Sequence, residues 1–121
     1  MKLSKAQATV MEQAKKEIDY ARTHDFLHWY ARSTNRDLET DWDAYPNPYL
    51  SNESVLKETI EYASKADEGW HKRYEEQKEG VVLTMCNSRT LAKLEEMGLI
   101  EILHDSKGTS YGIDTVKVLN Y

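Results

Sequence analysis

Apolar residues recur at helical spacing near the start of the chain: Val10, Met11, Ala14, Ile18 and Ala21, with Lys15, Lys16, Glu17 and Asp19 between them. Ser4-Lys-Ala-Gln7 precedes this stripe and has the form of a capping box. The serine hydroxyl accepts from the Gln7 amide while the glutamine side chain reaches back. The pattern predicts a helix from about Ser4 to Arg22. Thr23-His24-Asp25 breaks or bends it, and Asp25 is placed to cap a shorter helical piece carrying Trp29 and Tyr30 to about Arg32. Residues 1–32 therefore read as helical. Residues 33–51 read as a connection, because Ser33-Thr-Asn-Arg36 is polar and Pro46-Asn-Pro48 removes amide donors and restricts its neighbours. Ser51 or Asn52 caps the next element. Val55, Leu56, Ile60, Ala63, Ala66, Trp70 and Tyr74 then form a stripe that predicts one helix over 52–79, weakened at Gly69 and stopped by Gly80.

From Val81 the period changes. Val81-Val-Leu-Thr-Met85 is a short apolar run that predicts a strand. Asn87 or Ser88 caps a short helix whose Leu91, Leu94 and Met97 face inward. Gly98 supplies a left-handed stop, with Leu99 placed to pack back on the last turn. Leu99–Leu103 predicts a strand, Asp105-Ser-Lys-Gly-Thr109 a turn, and Tyr111–Leu119 the returning strand. A phase shift between Ile113 and Val116 predicts a bulge or added twist. The expected fold class is α+β: long N-terminal helices packed with a C-terminal strand–helix–hairpin unit. A chain of 121 residues is expected to form one domain.

The run Asn87-Ser-Arg-Thr-Leu-Ala-Lys-Leu-Glu-Glu-Met-Gly-Leu-Ile-Glu-Ile-Leu103, with the turn and strand after it, resembles the second half of a winged-helix domain over residues 81–121. The resemblance implies that its helix is a recognition helix and its hairpin a wing. Arg89, Thr90, Lys93 and Glu96 would then face a DNA major groove, with Lys107 on the wing. Many winged helices bind protein instead. In layout the chain is also similar to small accessory proteins of phages and prophages. By size and charge it is similar to the acidic phage proteins that block CRISPR effector nucleases.

Charge redirects the expectation from DNA to protein. The formal net charge is −5, unevenly spread. Residues 1–36 carry seven Lys/Arg against four Asp/Glu, whereas residues 37–60 carry six acids against Lys57. A globally acidic chain does not attract a polyanion at long range. Two bases beside Glu95 and Glu96 make a poor phosphate-binding surface, since the usual footprint is a basic stripe. No apolar run approaches the ~18 residues that cross a bilayer. The N-terminal Met-Lys-Leu-Ser-Lys leads into a charged helix pattern. A cytoplasmic protein is expected, in the host bacterium if phage-encoded. The single cysteine, Cys86, excludes an internal disulfide and fits a reducing compartment.

The most distinctive segment is Asp37-Leu-Glu-Thr-Asp-Trp-Asp-Ala-Tyr45. Asp37, Glu39, Asp41 and Asp43 alternate with other residues, so an extended backbone would set all four carboxylates on one side. A row of carboxylates imitates a phosphate backbone, while Trp42, Tyr45 and Tyr49 supply contact area. These seven residues are the candidate contacts for a protein partner that has a basic nucleic-acid-binding groove. Arg89, Thr90, Lys93 and Lys107 are the candidates for the alternative, direct DNA binding.

Catalytic and metal chemistry find weaker support. Cys86 sits where a strand meets a helix N-terminus, a place that favours a thiolate, and His104 is the nearest candidate base. A lone cysteine is ordinarily a small buried apolar residue. His24 and His28 would share a face of one continuous helix, as a metal site requires, but no third ligand is evident. His71 and Glu75 have the same spacing and the same shortfall. There is no glycine-rich phosphate loop. The expected protein is a binder with no catalytic residues, no metal and no cofactor.

Overall fold

A computed structural model describes residues 2–45, 47–84, 88–104 and 114–121. These residues form α1 (Lys5–Thr23), α2 (Phe26–Ser33), a 3-10 turn (Trp42–Ala44), α3 (Asn52–Ser64), α4 (Glu68–Lys78), β1 (Val81–Thr84), α5 (Ser88–Glu96), β2 (Ile100–His104) and β3 (Asp114–Val118). Helix and sheet are mixed, as the α+β expectation requires. Backbone packing divides the chain into two compact units: Met1–Tyr20 with Glu76–Tyr121, and Ala21–Glu75.

In the first unit the predicted capping box opens α1. Ser4 N donates to Gln7 Oε1 at 2.9 Å and Gln7 N to Ser4 Oγ at 3.2 Å. The helix buries Met11, Ala14 and Ile18 in a core with Val82, Leu91, Leu94, Ile100, Val116 and Val118. A nine-residue helix such as α5 is unstable alone, so Leu91 and Leu94 hold it through burial. The three described strands run antiparallel in the order β1-β3-β2, with Val82 and Ile102 both opposite Val116. The alternation of two along each strand puts Val82, Ile100, Val116 and Val118 into the core.

Glycine makes both corners of this unit possible. After α5, Gly98 has φ +75°, its amide donates to Glu95 O at 2.9 Å, and Leu99 N donates to Leu94 O at 3.1 Å. That is the Schellman pattern predicted from Gly98-Leu99. Before β1, Gly80 has φ +107°, and a Cβ there would lie 3.0 Å from Val118 O. The ladder irregularity falls between Ile102 and His104, which oppose the adjacent residues Val116 and Thr115. The extra residue is thus Leu103 on β2; the expected shift was on β3, and its Ile113 lies outside the described residues, as does the 105–109 turn.

The second unit holds an aromatic cluster. Asp25 caps α2 by accepting from His28 N at 2.9 Å. Asn35, at φ +62°, closes the same helix: Asn35 N donates to Arg32 O and Arg36 N to Ala31 O at 2.8 Å. Asparagine tolerates that left-handed position better than most residues do. Trp29 is buried beside Tyr74 and Trp70, with ring centroids at 5.4 and 6.1 Å. Phe26 stacks on His71 at 4.0 Å, and Tyr74 Oη donates to His24 O at 2.5 Å.

Two expectations for residues 52–79 are corrected here. The stretch is two helices, not one: α3 ends at Ser64, and Asp67 opens α4 by accepting from Trp70 N at 3.2 Å. A side-chain cap competes with helix continuation, and Gly69 just beyond it lowers helical propensity. The buried face of α3 also differs. Val55 and Thr59 are fully buried, while Leu56 and Ile60 are 43% and 50% exposed. Thr59 is tolerated because its hydroxyl donates to Val55 O at 2.7 Å.

Candidate functional site: a carboxylate-rimmed cleft

The acidic segment is not extended. Asp37 starts a tight turn by accepting from Glu39 N at 2.9 Å, and its carbonyl accepts from Thr40 N at 3.2 Å and from the Trp42 indole at 2.9 Å. The 3-10 turn then follows, with Tyr45 N donating to Trp42 O at 3.2 Å. Short polar side chains at Asp37 and Asp41 favour such turns over a strand. The single-sided row of four carboxylates therefore does not form.

What forms instead is a knot around Asn52, the first residue of α3. Its side-chain amide donates to Asp41 Oδ1 at 3.0 Å and to Asp43 Oδ2 at 3.1 Å. Its side-chain carbonyl Oδ1 accepts from Trp42 N at 2.6 Å, and its backbone amide donates to Asp43 Oδ1 at 3.0 Å. Ser51 separately caps α3 through a reciprocal box with Ser54. Asp43 therefore sits at a helix N-terminus, where the peptide dipoles favour negative charge. An amide satisfies carboxylate lone pairs without bringing an opposite charge, and Asp41 and Asp43 are both exposed.

Beside the knot lies a surface cleft of about 450 Å³. Leu38, Trp42 and Leu56 contribute the apolar part of its lining, and Glu39, Thr40, Asp41, His28 and Asn52 the polar part. Glu39 is positioned by His24, whose Nε2 donates to Oε1 at 2.8 Å while Nδ1 lies 2.9 Å from Thr23 Oγ1. His28 is held by Asp25 through Nδ1 at 2.7 Å. The His28 amide and then its imidazole, both donating to Asp25, hold that carboxyl below its ordinary value.

Of the seven predicted contact residues, the structure gathers Glu39, Asp41 and Trp42 into the cleft lining and ties Asp37 and Asp43 to its walls. Tyr45 lies 6.0 Å from the Trp42 ring and is exposed; Tyr49 is 87% exposed and does not line the cleft. Leu38, Asn52 and Leu56 were not anticipated. The offset of Leu56 and Ile60 from Val55 and Thr59 around α3 was the signal for an outward apolar side.

The remaining candidates stay apart. His24 and His28 are not on one helix, since α1 ends at Thr23 and α2 begins at Phe26. Their rings are 6.1 Å apart, and no metal-holding cluster occurs among the described residues. His71 is stacked on Phe26, four residues before Glu75. On α5, Arg89 and Lys93 are exposed and Thr90 half-buried, with Lys93 3.4 Å from Glu96. Cys86, Lys107 and the His104 side chain lie outside the described residues. No helix among the described residues is long and apolar enough to cross a membrane. No family model matches the chain, and neither a curated protein nor a solved structure matches it significantly.

Proposed function

We propose that this chain is a non-catalytic binding protein of the phage-accessory type. Its acidic surface, carried by Asp37, Glu39, Asp41 and Asp43, occupies the basic groove of a nucleic-acid-handling protein and competes there with nucleic acid, as acidic phage inhibitors of CRISPR effector nucleases do. The supporting observation is the knot around Asn52, which holds Asp41 and Asp43 at fixed spacing without bringing an opposite charge. Charges ordered before binding lose less entropy on association than charges on a mobile loop. In the host cytoplasm such a surface would be steered toward a basic groove by its field.

The test is competition. A purified CRISPR effector nuclease loaded with guide RNA is assayed for target cleavage with the protein added. Inhibition is expected, relieved by excess duplex DNA and by the combined variant Asp37→Asn, Glu39→Gln, Asp41→Asn, Asp43→Asn. Undiminished inhibition by that variant rejects the reading, as does an effector that the protein leaves fully active.

A second reading, a winged-helix DNA-binding regulator, draws on the strand–helix–hairpin order of residues 81–121 and the exposed Arg89 and Lys93. It expects binding of mixed duplex DNA at low salt, affinity falling steeply with salt, and weakening in Arg89→Ala and Lys93→Ala. The Glu96 carboxylate, 3.4 Å from Lys93, works against it by setting an anion beside a cation meant for phosphate.

A further inference from the structure

The apolar part of the cleft lining is unexplained by charge competition alone. Leu38, Trp42 and Leu56 line it, and Ile60 continues the apolar side of α3 one turn beyond Leu56. Burying these groups in the fold would have been favourable, yet Leu56 and Ile60 stay about half exposed. Carboxylates flank the same strip. Glu39 and Asp41 line the cleft and are exposed, and Glu53 lies one turn before Leu56 on α3.

We infer that the cleft receives an amphipathic helix of a partner protein, with large apolar residues on one face and Lys/Arg at its margins. The inference rests on the reading of the Asp37, Glu39, Asp41 and Asp43 carboxylates as a binding surface and names what that surface recognises. The apolar face of the helix lies over Leu38, Trp42, Leu56 and Ile60, while its flanking cations meet Glu39, Asp41 and Glu53. Helix-in-groove recognition uses anchors at spacings of three and four residues, the spacing that a strip along one helix face accommodates. Charge selects the occupant. An acidic helix is repelled by these carboxylates. A second copy docked symmetrically by the same surface would set carboxylate against carboxylate. A nucleic acid is repelled outright.

The experiment measures binding of three labelled synthetic peptides by fluorescence anisotropy: a leucine–lysine amphipathic helix, a serine–lysine peptide of equal charge, and a leucine–glutamate helix. The leucine–lysine helix is expected to bind about tenfold or more tighter than the serine–lysine peptide, the worth of burying one or two leucines. Leu56→Ser and Ile60→Ser should erase that difference and leave the serine–lysine affinity in place. Both positions are exposed, so the fold survives the change. Circular dichroism and the thermal midpoint check this. Equal affinity for the two lysine peptides overturns the helix-docking inference and leaves the acidic-surface reading standing. Binding of neither overturns both. Tighter binding that persists in Leu56→Ser and Ile60→Ser places the helix elsewhere and overturns the inference. So does self-association in sedimentation that Leu56→Ser abolishes, because the occupant is then a second copy.

Discussion

Asp43 holds Asn52 by both ends: one carboxylate oxygen accepts the Asn52 backbone amide at 3.0 Å and the other accepts its side-chain amide at 3.1 Å. The same asparagine reaches Asp41 and the Trp42 backbone, so one residue at the start of α3 fixes a turn nine to eleven positions earlier. Asn52→Ala removes the side-chain contacts and keeps the backbone one. The expected cost is about 1–2 kcal/mol, since exposed hydrogen bonds exchange with water at small net gain. Urea unfolding measures it. Hydrogen exchange should show faster loss of the Trp42 amide proton, and unchanged exchange at Trp42 would mean that the turn is held by something else.

The aromatic cluster should dominate the stability of residues 21–75. Trp29 is nearly fully buried between Phe26, Trp70 and Tyr74. Trp29→Ala is expected to cost about 3–5 kcal/mol through lost burial and the cavity left behind. Tyr74→Phe keeps the ring and removes only the hydroxyl that donates to His24 O, at about 1 kcal/mol. A ratio near unity between the two in chemical denaturation would show that packing is not what holds the cluster.

Gly80 and Gly98 both have positive φ, but their surroundings differ. Alanine at Gly98 meets nothing within 4 Å, so only backbone strain is added, about 1 kcal/mol. Alanine at Gly80 adds the same kind of strain and a 3.0 Å approach to Val118 O, a carbonyl fixed in the β3 end of the sheet. Gly80→Ala is expected to cost about 2 kcal/mol or more. Thermal unfolding of the two variants should rank them in that order, with Gly98→Asn milder than Gly98→Ala because asparagine visits the left-handed region more readily.

Asp25 gives a pH signature. Its folded-state carboxyl titrates below the unfolded value, first because the His28 amide donates to it and then because the imidazole does. A depressed carboxyl contributes stability above the unfolded pKa of about 3.9 and loses that contribution as pH falls through the folded value. Asp25→Ala should destabilise by about 1 kcal/mol at pH 7, the worth of a helix cap. The side chain is 67% exposed, so solvent screens the charge part and the cap bond is the main loss. The gap between the two proteins should shrink once the pH drops below about 4. Equilibrium unfolding followed from pH 7 down to about pH 2 checks this, and a gap that stays constant over that range would contradict the lowered Asp25 carboxyl.

Sequence alone determined the elements whose causes lie within a few residues. Ser4 with Gln7, Asp25 with His28, Gly98 with Glu95 and Leu99 with Leu94 each bond across three to five positions, so residue types at fixed spacing specify them. The inward sides of α1 and α5 followed for the same reason, because the helical period maps Met11, Ala14 and Ile18, or Leu91 and Leu94, onto one face. Tertiary structure decided what depends on the packing partner. The period of α3 placed Val55, Leu56 and Ile60 in one broad apolar stripe, and only the neighbours of the folded helix chose Val55 and Thr59 as its inner side. The acidic segment alternated like a strand, but Asn52 and the turn at Asp37 outcompeted extension once α3 brought the asparagine alongside. The seven contact residues were legible as a composition. The cleft was not, since Leu38, Trp42, Asn52 and Leu56 meet only across a closed loop, and the short-range periods that build helices and strands carry no information about which distant side chains that closure brings together.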